Sequence, residues 1–450
     1  MNRRTFIQNL TGVAGVSPLA AQQESRASKP PNILFILFDK CRTDAFGAYG
    51  EKDVHTPNID FLAETGVRFN HCYTPQALCG PARASIITGA FPHAHGLRKN
   101  PYPKAPSPNN CNYQESIPDP FRDTRFKLWP NFPYLLNNAG YATAHIGKWH
   151  LGPANPGFYD YWKSFNSGLQ HWIGEPYESE YRPDVHTSQG IRFIERHADE
   201  PFFLYQSYYA PHERHDPPKE FLTHYEGDEH AGYYGSVSNL DWNVGRLLDA
   251  LRDNNILDET LIIVTTEHGM TRIARAGTTV GMCIPYDEAA RIPLIIRYPK
   301  LLPEGKVWQS GVSLVDLMPT ILEAAGVSIQ SEEMHHGHSL ISEIREDRDD
   351  WKRPVIIQNI PQAAIEGSFY EERTIREERF KLVLRKFINK PYLRPGELYD
   401  MKADPGEAKN LYEVPRFRST IQELAQHMKS WGEETDDELA VELGAWAAGE

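Results

Sequence analysis

Apolar residues in this chain follow two rhythms, short unbroken runs and stripes at helical spacing, and the two alternate from Pro31 to about Gly326. The first run, Pro31–Phe38, is continuous and ends in Asp39. Such a run predicts a strand buried on both faces of a parallel sheet. Asp39 then lies at the strand's carboxyl end, where α/β sheets place their sites. Residues 141–146, 202–209, 261–266 and 292–298 predict further strands. Helical stretches lie between them: 56–65 before Gly66, 131–139 before Gly140, 236–254, and 313–325 before Gly326. The stripe Val237, Leu240, Val244, Leu247, Leu248 and Leu251 has the spacing of a core face. Residues 66–78 lead into a turn at Cys79. This alternation predicts an α/β fold, a largely parallel doubly wound sheet with helices on both faces. From about residue 346 the pattern changes. Short strands at 355–358, 374–376 and 380–384 precede a helix at 416–431, which predicts a smaller C-terminal α+β subdomain with a short antiparallel sheet. The expected organisation is a leader over 1–30, a catalytic α/β domain over 31–345, and the subdomain over 346–450.

Charge and composition then narrow the function classes. The formal charge of −13 is spread along the chain. It argues against a nucleic-acid partner and leaves room for a locally basic pocket around an anionic substrate. The leader carries paired arginines, Arg3 and Arg4, then a weakly apolar stretch and the small residues Ala20 and Ala21. That is the pattern of a Tat-type export signal, with an ordinary Sec signal or a disordered basic tip as the alternatives. Gln8, Asn9 and the glycines make the stretch polar for Sec. No later run reaches the length of a membrane span, so a periplasmic or extracellular protein is expected. Five cysteines are too few for a disulfide scaffold. Cys41, Cys72, Cys111 and Cys283 are left beside Cys79, their pairing open. The Pro- and Asn-rich residues 100–125 read as a loop that either borders a cleft or simply connects. The aromatic cluster Phe158, Tyr159, Tyr161, Trp162, Trp172 and Tyr177 suits ordinary packing better than a sugar platform.

The chemistry concentrates at Cys79-Gly80-Pro81-Ala82-Arg83. Pro81 and the Ala/Ile-rich run after it suit the first turn of a helix ending near Gly89, which places Cys79 at the helix N-terminus. Unpaired N–H groups and the positive dipole end favour an anion there. Arg83 adds a charged fork that matches a tetrahedral oxyanion. The plain alternative is a buried structural cysteine before a helix. Asp39, Lys148, His150, His212, Glu267 and His268 fall at or just past predicted strand ends. Each alone suits a structural role. Their common position on one sheet edge, with the Cys79 turn, points to a site.

The Cys-x-Pro-x-Arg pattern resembles the signature of type I sulfatases, in the alkaline phosphatase superfamily. The resemblance extends over residues 31–50, 56–97, 131–152, 233–269, 286–326 and 397–405 in order and spacing. It implies that Cys79 is oxidised to formylglycine by a formylglycine-generating enzyme, and that one Ca2+ is bound. By the same resemblance Arg83 holds the hydrated formylglycine, Lys148 contacts a sulfate oxygen, and His150 contacts the formylglycine hydroxyl. His212 sits near the leaving-group oxygen, and Asp39, Glu267 and His268 take metal-ligand positions. Sulfate ester cleavage needs such parts: an in-line nucleophile, charge on the equatorial oxygens, and an acid for the leaving alkoxide. A hydrated aldehyde offers one hydroxyl to take the sulfate and a second to expel it.

Three positions depart from the family. Its paired aspartates appear as Asp39-Lys40, its Asp-His or Asp-Asn pair as Glu267-His268, and Met282 aligns with a sulfate-binding lysine. Glu for Asp keeps the oxygen ligands. A protonated lysine cannot coordinate. Either Lys40 swings away and a weaker metal site survives, or its ammonium sits between Asp39 and Glu267 in the ion's place. The second explains both changes with one cause and is the expectation. The sequence reads as an exported sulfatase-like hydrolase of a sulfated saccharide or small molecule. The alternatives are a phosphate or phosphonate ester hydrolase on the same scaffold, and a degenerate binder of sulfated glycans.

Overall fold

The computed structural model describes residues 29–101, 130–152, 154–173, 180–271, 282–329, 335–351, 353–359, 370–387 and 396–450. The expected export signal, most of the 100–125 loop with Cys111, and Tyr177 lie outside the described residues.

Strand β1 (Asn32–Phe38) is buried along its whole length. Ile33, Phe35 and Leu37 point into one core. Leu34, Ile36 and Phe38 point into a second core on the opposite face. Alternation of side chains along a strand produces this split, and each buried side chain contributes about 2 kcal/mol of transfer free energy. The chain continues through α1 (Pro57–Glu64), β2 (Val67–Tyr73), α2 (Cys79–Thr88), α3 (Phe132–Asn138), β3 (Ala142–Lys148) and β4 (Tyr161–Phe165). A two-stranded ribbon follows, β5 (Trp172–Ile173) with β6 (Glu180–Tyr181). Then come α4 (Arg182–His197), β7 (Phe202–Ser207), α5 (Ala231–Asp253), β8 (Thr260–Thr266) and β9 (Arg291–Arg297). Next are β10 (Lys306–Trp308), β11 (Val312–Ser313) and α6 (Leu317–Ala325).

The main sheet has the order β10-β2-β9-β8-β1-β7-β3-β4, with β11 also on β2. Only β9 runs against its neighbours, β2 and β8. The other pairs are parallel. Helices α2, α3 and α6 pack on the first core, and α1, α4 and α5 on the second. This is the expected doubly wound architecture. The C-terminal part forms its own antiparallel sheet, β12 (Val355–Asn359), β13 (Tyr370–Arg376), β14 (Phe380–Phe387) and β15 (Gly396–Asp400). Helices α7 (Arg418–Thr435) and α8 (Glu438–Ala448) cover it. Among the described residues no helix is long and apolar enough to cross a membrane.

Several elements differ from the sequence expectation. Lys148 is the last residue of β3 rather than a residue beyond it. The predicted strand 202–209 ends at Ser207. The first turn of the expected 313–325 helix is a 3-10 turn over Leu314–Asp316, where Asp316 Oδ2 accepts from the Ser313 N–H at 2.8 Å. Strand β2 replaces the expected lead-in. A register shift between Phe69 and Cys72 breaks its alternation, which hides it from a period-two reading. Phe158 and Tyr159 lie in the core with Trp162 packed against them, so packing is their role.

Candidate active site

Strands β8, β1, β7 and β3 are consecutive, parallel neighbours, so their carboxyl ends share one edge. That edge collects Glu267 and His268 after β8, Asp39 and Lys40 after β1, Ser207 on β7, and Lys148 on β3. Asp39, Lys148, Glu267 and His268 are completely buried. Helix α2 delivers Cys79 to the same place. Its N-cap residue Leu78 offers no side-chain cap. Instead Asn100 Oδ1 accepts from the Gly80 N–H at 2.7 Å. A β-carbon on Gly80 would lie 2.9 Å from that oxygen, so glycine permits the contact. The helix stops at Gly89, whose φ of 64° is a left-handed cap.

Cys79 Sγ stands 3.2 Å from His268 Nε2 and 4.0 Å from Asp39 Oδ1. Burial pushes the Cys79 thiol up from its ordinary value, so as a thiol it is a poor nucleophile. Arg83, one turn along, donates to the Lys148 carbonyl at 2.6 Å and to Ser207 Oγ at 2.7 Å. The same guanidinium lies 3.5 Å from Asp39 Oδ2 and 3.4 Å from Glu267 Oε2. The Lys148 ammonium donates to Asp39 Oδ2 and sits over the Tyr209 ring at 5.0 Å. Burial pulls the Lys148 pKa down, but Asp39, Cys79 and Glu267 together outweigh it and the net shift is upward. Gly147, just before it, has φ of 103°, and a β-carbon there would collide with the Ser207 carbonyl at 1.7 Å. Glycine is therefore required where β3 and β7 meet at the site.

The two carboxylates shift in opposite directions. Burial raises Asp39, but Lys148, then His212 and Arg83, hold it well below the usual range. Burial pushes Glu267 well above its usual value despite Arg83. Neither Glu267 oxygen accepts a hydrogen bond from a described donor. His268 Nδ1 lies 2.7 Å from the Gly269 carbonyl, which places its proton there and leaves the Nε2 lone pair facing Cys79. Burial lowers the His268 pKa, keeping the ring neutral. Ligand atoms of Asp39, Cys79, Glu267 and His268 all lie within 4.8 Å of one another. Two buried carboxylates, one of them with undonated oxygens, and a neutral imidazole fit a divalent cation.

Lys40 does not occupy that place, which corrects the expectation that its ammonium bridges Asp39 and Glu267. Its backbone is left-handed, with φ of 59°. Its Nζ meets both carboxylate oxygens of Glu213, at 3.0 and 2.8 Å. The competing carboxylate was invisible in sequence because it lies on the loop after β7. His212 Nδ1 stands 2.9 Å from Glu213 Oε2 and 3.1 Å from the Glu213 carbonyl. Its ring stacks on Tyr209 at 4.5 Å. His150 is buried with φ of 57°, and burial, then Lys148 and Arg83, keep it neutral. Met282 is half-buried. Its neighbour Cys283 donates its N–H to the Ala77 carbonyl at 2.8 Å, so this segment borders the Cys79 turn. Cys41, Cys72, Cys79 and Cys283 are buried thiols without a disulfide. Sequence reading missed Asn100, Ser207, Tyr209 and Glu213. Each acts through a contact distant in sequence, and none sits in a local motif.

The family profile described as "Sulfatase" matches residues 31–327, and that described as "N-sulphoglucosamine sulphohydrolase, C-terminal" matches residues 282–434. The chain is 28% identical to the N-acetylglucosamine-6-O-sulfatase of Bacteroides thetaiotaomicron, over 94% of this chain and 90% of that protein. It is also 28% identical to human N-acetylgalactosamine-6-sulfatase, over 72% of this chain and 67% of that protein. A structure solved with its substrate D-glucosamine-2-N,6-O-disulfate superposes with a TM-score of 0.71 at 26% identity, covering 91% of this chain and 99% of the other.

Proposed function

From the premise that this chain belongs to the sulfatase family and is a sulfuric ester hydrolase, we propose that it cleaves sulfate esters of saccharides at the strand edge around Cys79. One observation carries the assignment of the site: Cys79, Arg83, Lys148, Asp39, Glu267 and His268 come from four separate segments and meet in one buried cluster. Names of relatives support a saccharide, since they specify sulfated amino sugars.

In this reading Cys79 is converted to formylglycine by a formylglycine-generating enzyme, and its hydrate supplies the attacking oxygen. The raised pKa of the unmodified thiol supports a modified nucleophile over a thiolate. Lys148 takes an oxygen of the sulfate and Arg83 holds the hydrated formylglycine, where charge-assisted donors are strongest. His150 contacts the hydroxyl at position 79, and His212 serves the leaving oxygen. Asp39, Glu267 and His268 would hold Ca2+, which supplies positive charge to the sulfate and to the oxygen at position 79. Lys40, engaged by Glu213, does not compete for that place, which supports a metal site over a degenerate one. The paired arginines of the leader support export to the periplasm or beyond.

The test uses protein made with a formylglycine-generating enzyme, with conversion at position 79 followed by mass spectrometry. Matched para-nitrophenyl sulfate and phosphate are then compared. The expected result is conversion, bound calcium near one per chain by elemental analysis, preference for sulfate, and no turnover by Cys79→Ala. Preference for the phosphate ester would assign the site to phosphoryl transfer. An intact thiol with no turnover would assign a glycan binder.

A further inference from the structure

Lys40, Glu213 and His212 form a chain of contacts that the sulfate-binding roles leave unused. Both oxygens of Glu213 lie on the Lys40 ammonium, and one of them also lies on His212 Nδ1. We infer that Glu213 is a positioning residue that readies His212 as the proton donor to the leaving oxygen, and that Lys40 is the anchor of Glu213. The inference rests on the sulfate-ester reading above.

The geometry assigns the ring's two nitrogens. Among the described residues Nδ1 faces two acceptors, both within Glu213, its carboxylate at 2.9 Å and its carbonyl at 3.1 Å. A proton is therefore fixed on Nδ1, and the ring gains or gives its second proton at Nε2. The ring stacks on Tyr209 at 4.5 Å, and the His212 backbone is fixed by its carbonyl, which accepts from His171 Nε2 at 2.8 Å. A carboxylate on Nδ1 holds the ring in the tautomer and orientation from which Nε2 gives its proton. Glu213 is itself half-exposed, so without a partner its side chain would be drawn to water. Lys40, buried beneath it, supplies that partner. Lys40 reaches it from a left-handed backbone, with φ of 59°, which lysine rarely adopts.

Three other charged or imidazole groups of the site have their protons committed elsewhere. Lys148 and Arg83 are pinned to Asp39 and Glu267. The Nδ1 proton of His268 is given to the Gly269 carbonyl. In the step assigned to His212, the ester S–O bond breaks and its electron pair stays on the sugar oxygen. The Nε2 proton moves to that oxygen, giving the alcohol and a neutral ring. The oxygen at position 79 forms the new bond to sulfur and sheds its proton to water, and water returns one to Nε2.

An alkoxide needs this proton and a nitrophenolate does not, so the two ester types separate positioning from general damage. On formylglycine-containing enzyme, Glu213→Ala is expected to lower kcat on N-acetylglucosamine 6-sulfate by about 30-fold or more and on para-nitrophenyl sulfate by less than about threefold. Glu213→Gln, which keeps an acceptor but not the charge, should fall between wild type and Glu213→Ala on the sugar ester. Lys40→Met should show the same ester selectivity at smaller size. Equal losses on both esters would overturn the inference. A second readout needs no turnover. In histidine-labelled protein, with the His212 ring assigned by its loss in His212→Asn, nitrogen NMR should show the neutral ring protonated at Nδ1, shifting toward Nε2 in Glu213→Ala. An unchanged ring would overturn the inference. If wild type hydrolyses neither ester, the sulfatase reading fails, and the ring spectrum alone decides the positioning.

Discussion

Arg83 is 2% exposed, so its charge has only protein partners. Two are carboxylates, Asp39 and Glu267, and two are neutral oxygens, on Lys148 and Ser207. A lysine keeps the charge but cannot reproduce a fork with fixed angles. Arg83→Lys should therefore lower kcat on para-nitrophenyl sulfate by about 100-fold or more, as removal of one preorganised donor does elsewhere. It should also lower the unfolding midpoint, since the Lys148 carbonyl and Ser207 Oγ lose their donor. Steady-state kinetics with thermal unfolding checks both, and near-normal turnover would refute the role. Arg83 was legible in the sequence because it shares a helix with Cys79. Asp39, Glu267 and His268 were legible because each directly follows an unmistakable strand. Lys40 was misread for a physical reason. The resemblance placed it beside two carboxylates, Asp39 and Glu267, but the acceptor it meets, Glu213, is 173 residues away on another loop.

At the scale of elements, helix α1 begins without a cap of its own. Thr56 makes no side-chain cap. Asp241, from α5, accepts from the Ile59 N–H at 2.8 Å, the Asn58 N–H at 3.2 Å and Asn58 Nδ2 at 2.8 Å. It thus ties the start of α1 to α5 on the second core. Burial pushes its carboxyl up to about 7 despite these donors. The unfolded value is about 3.9. Between the two the folded state keeps a proton that the unfolded state releases. The group's contribution is therefore fully present below about pH 4 and is lost as pH rises through about 7. Asp241→Asn removes the titration. Its stability relative to wild type should accordingly increase from pH 5 to pH 8 in urea denaturation, and a pH-independent difference would refute the assignment. No sequence pattern announces such a cap, because donor and acceptor lie on different helices. Helix α4 escaped prediction for a related reason. His186, Thr187 and Gly190 form part of its buried face, and Gly190 lets Gln206 of β7 approach to where a β-carbon would sit 2.6 Å away. Stripes of leucine and valine announce a helix, but a face of small and polar residues does not.

Across the whole molecule, the C-terminal sheet is bound to the catalytic edge by a buried lysine. Lys381 of β14 donates to the Pro285 carbonyl at 2.9 Å, to Asp287 Oδ1 at 2.5 Å and to Glu407 Oε1 at 2.8 Å. Glu407 in turn accepts from the Asp287 N–H at 2.7 Å. Nearby, the Gln358 N–H of β12 donates to the Pro75 carbonyl at 2.6 Å, and Phe91 and Val315 enter the C-terminal core. Segment 283–287 therefore leans on the C-terminal sheet at one end and on the Ala77–Cys79 turn at the other. Residues 346–450, proposed as a subdomain from the change in sequence pattern, should thus govern both stability and the site. Lys381→Met leaves Asp287 and Glu407 buried without their cation and should cost about 3–5 kcal/mol. Lys381→Met with Glu407→Gln removes charges of both signs and should cost less than the sum of the single changes. Turnover of para-nitrophenyl sulfate by Lys381→Met should fall as well, although no altered atom touches the sulfate, because the segment beside Cys79 loses its support. Additive single costs with unchanged turnover would mean that the C-terminal sheet is a passive cover. A non-additive pair with reduced turnover would mean that the Cys79 turn is braced through Lys381.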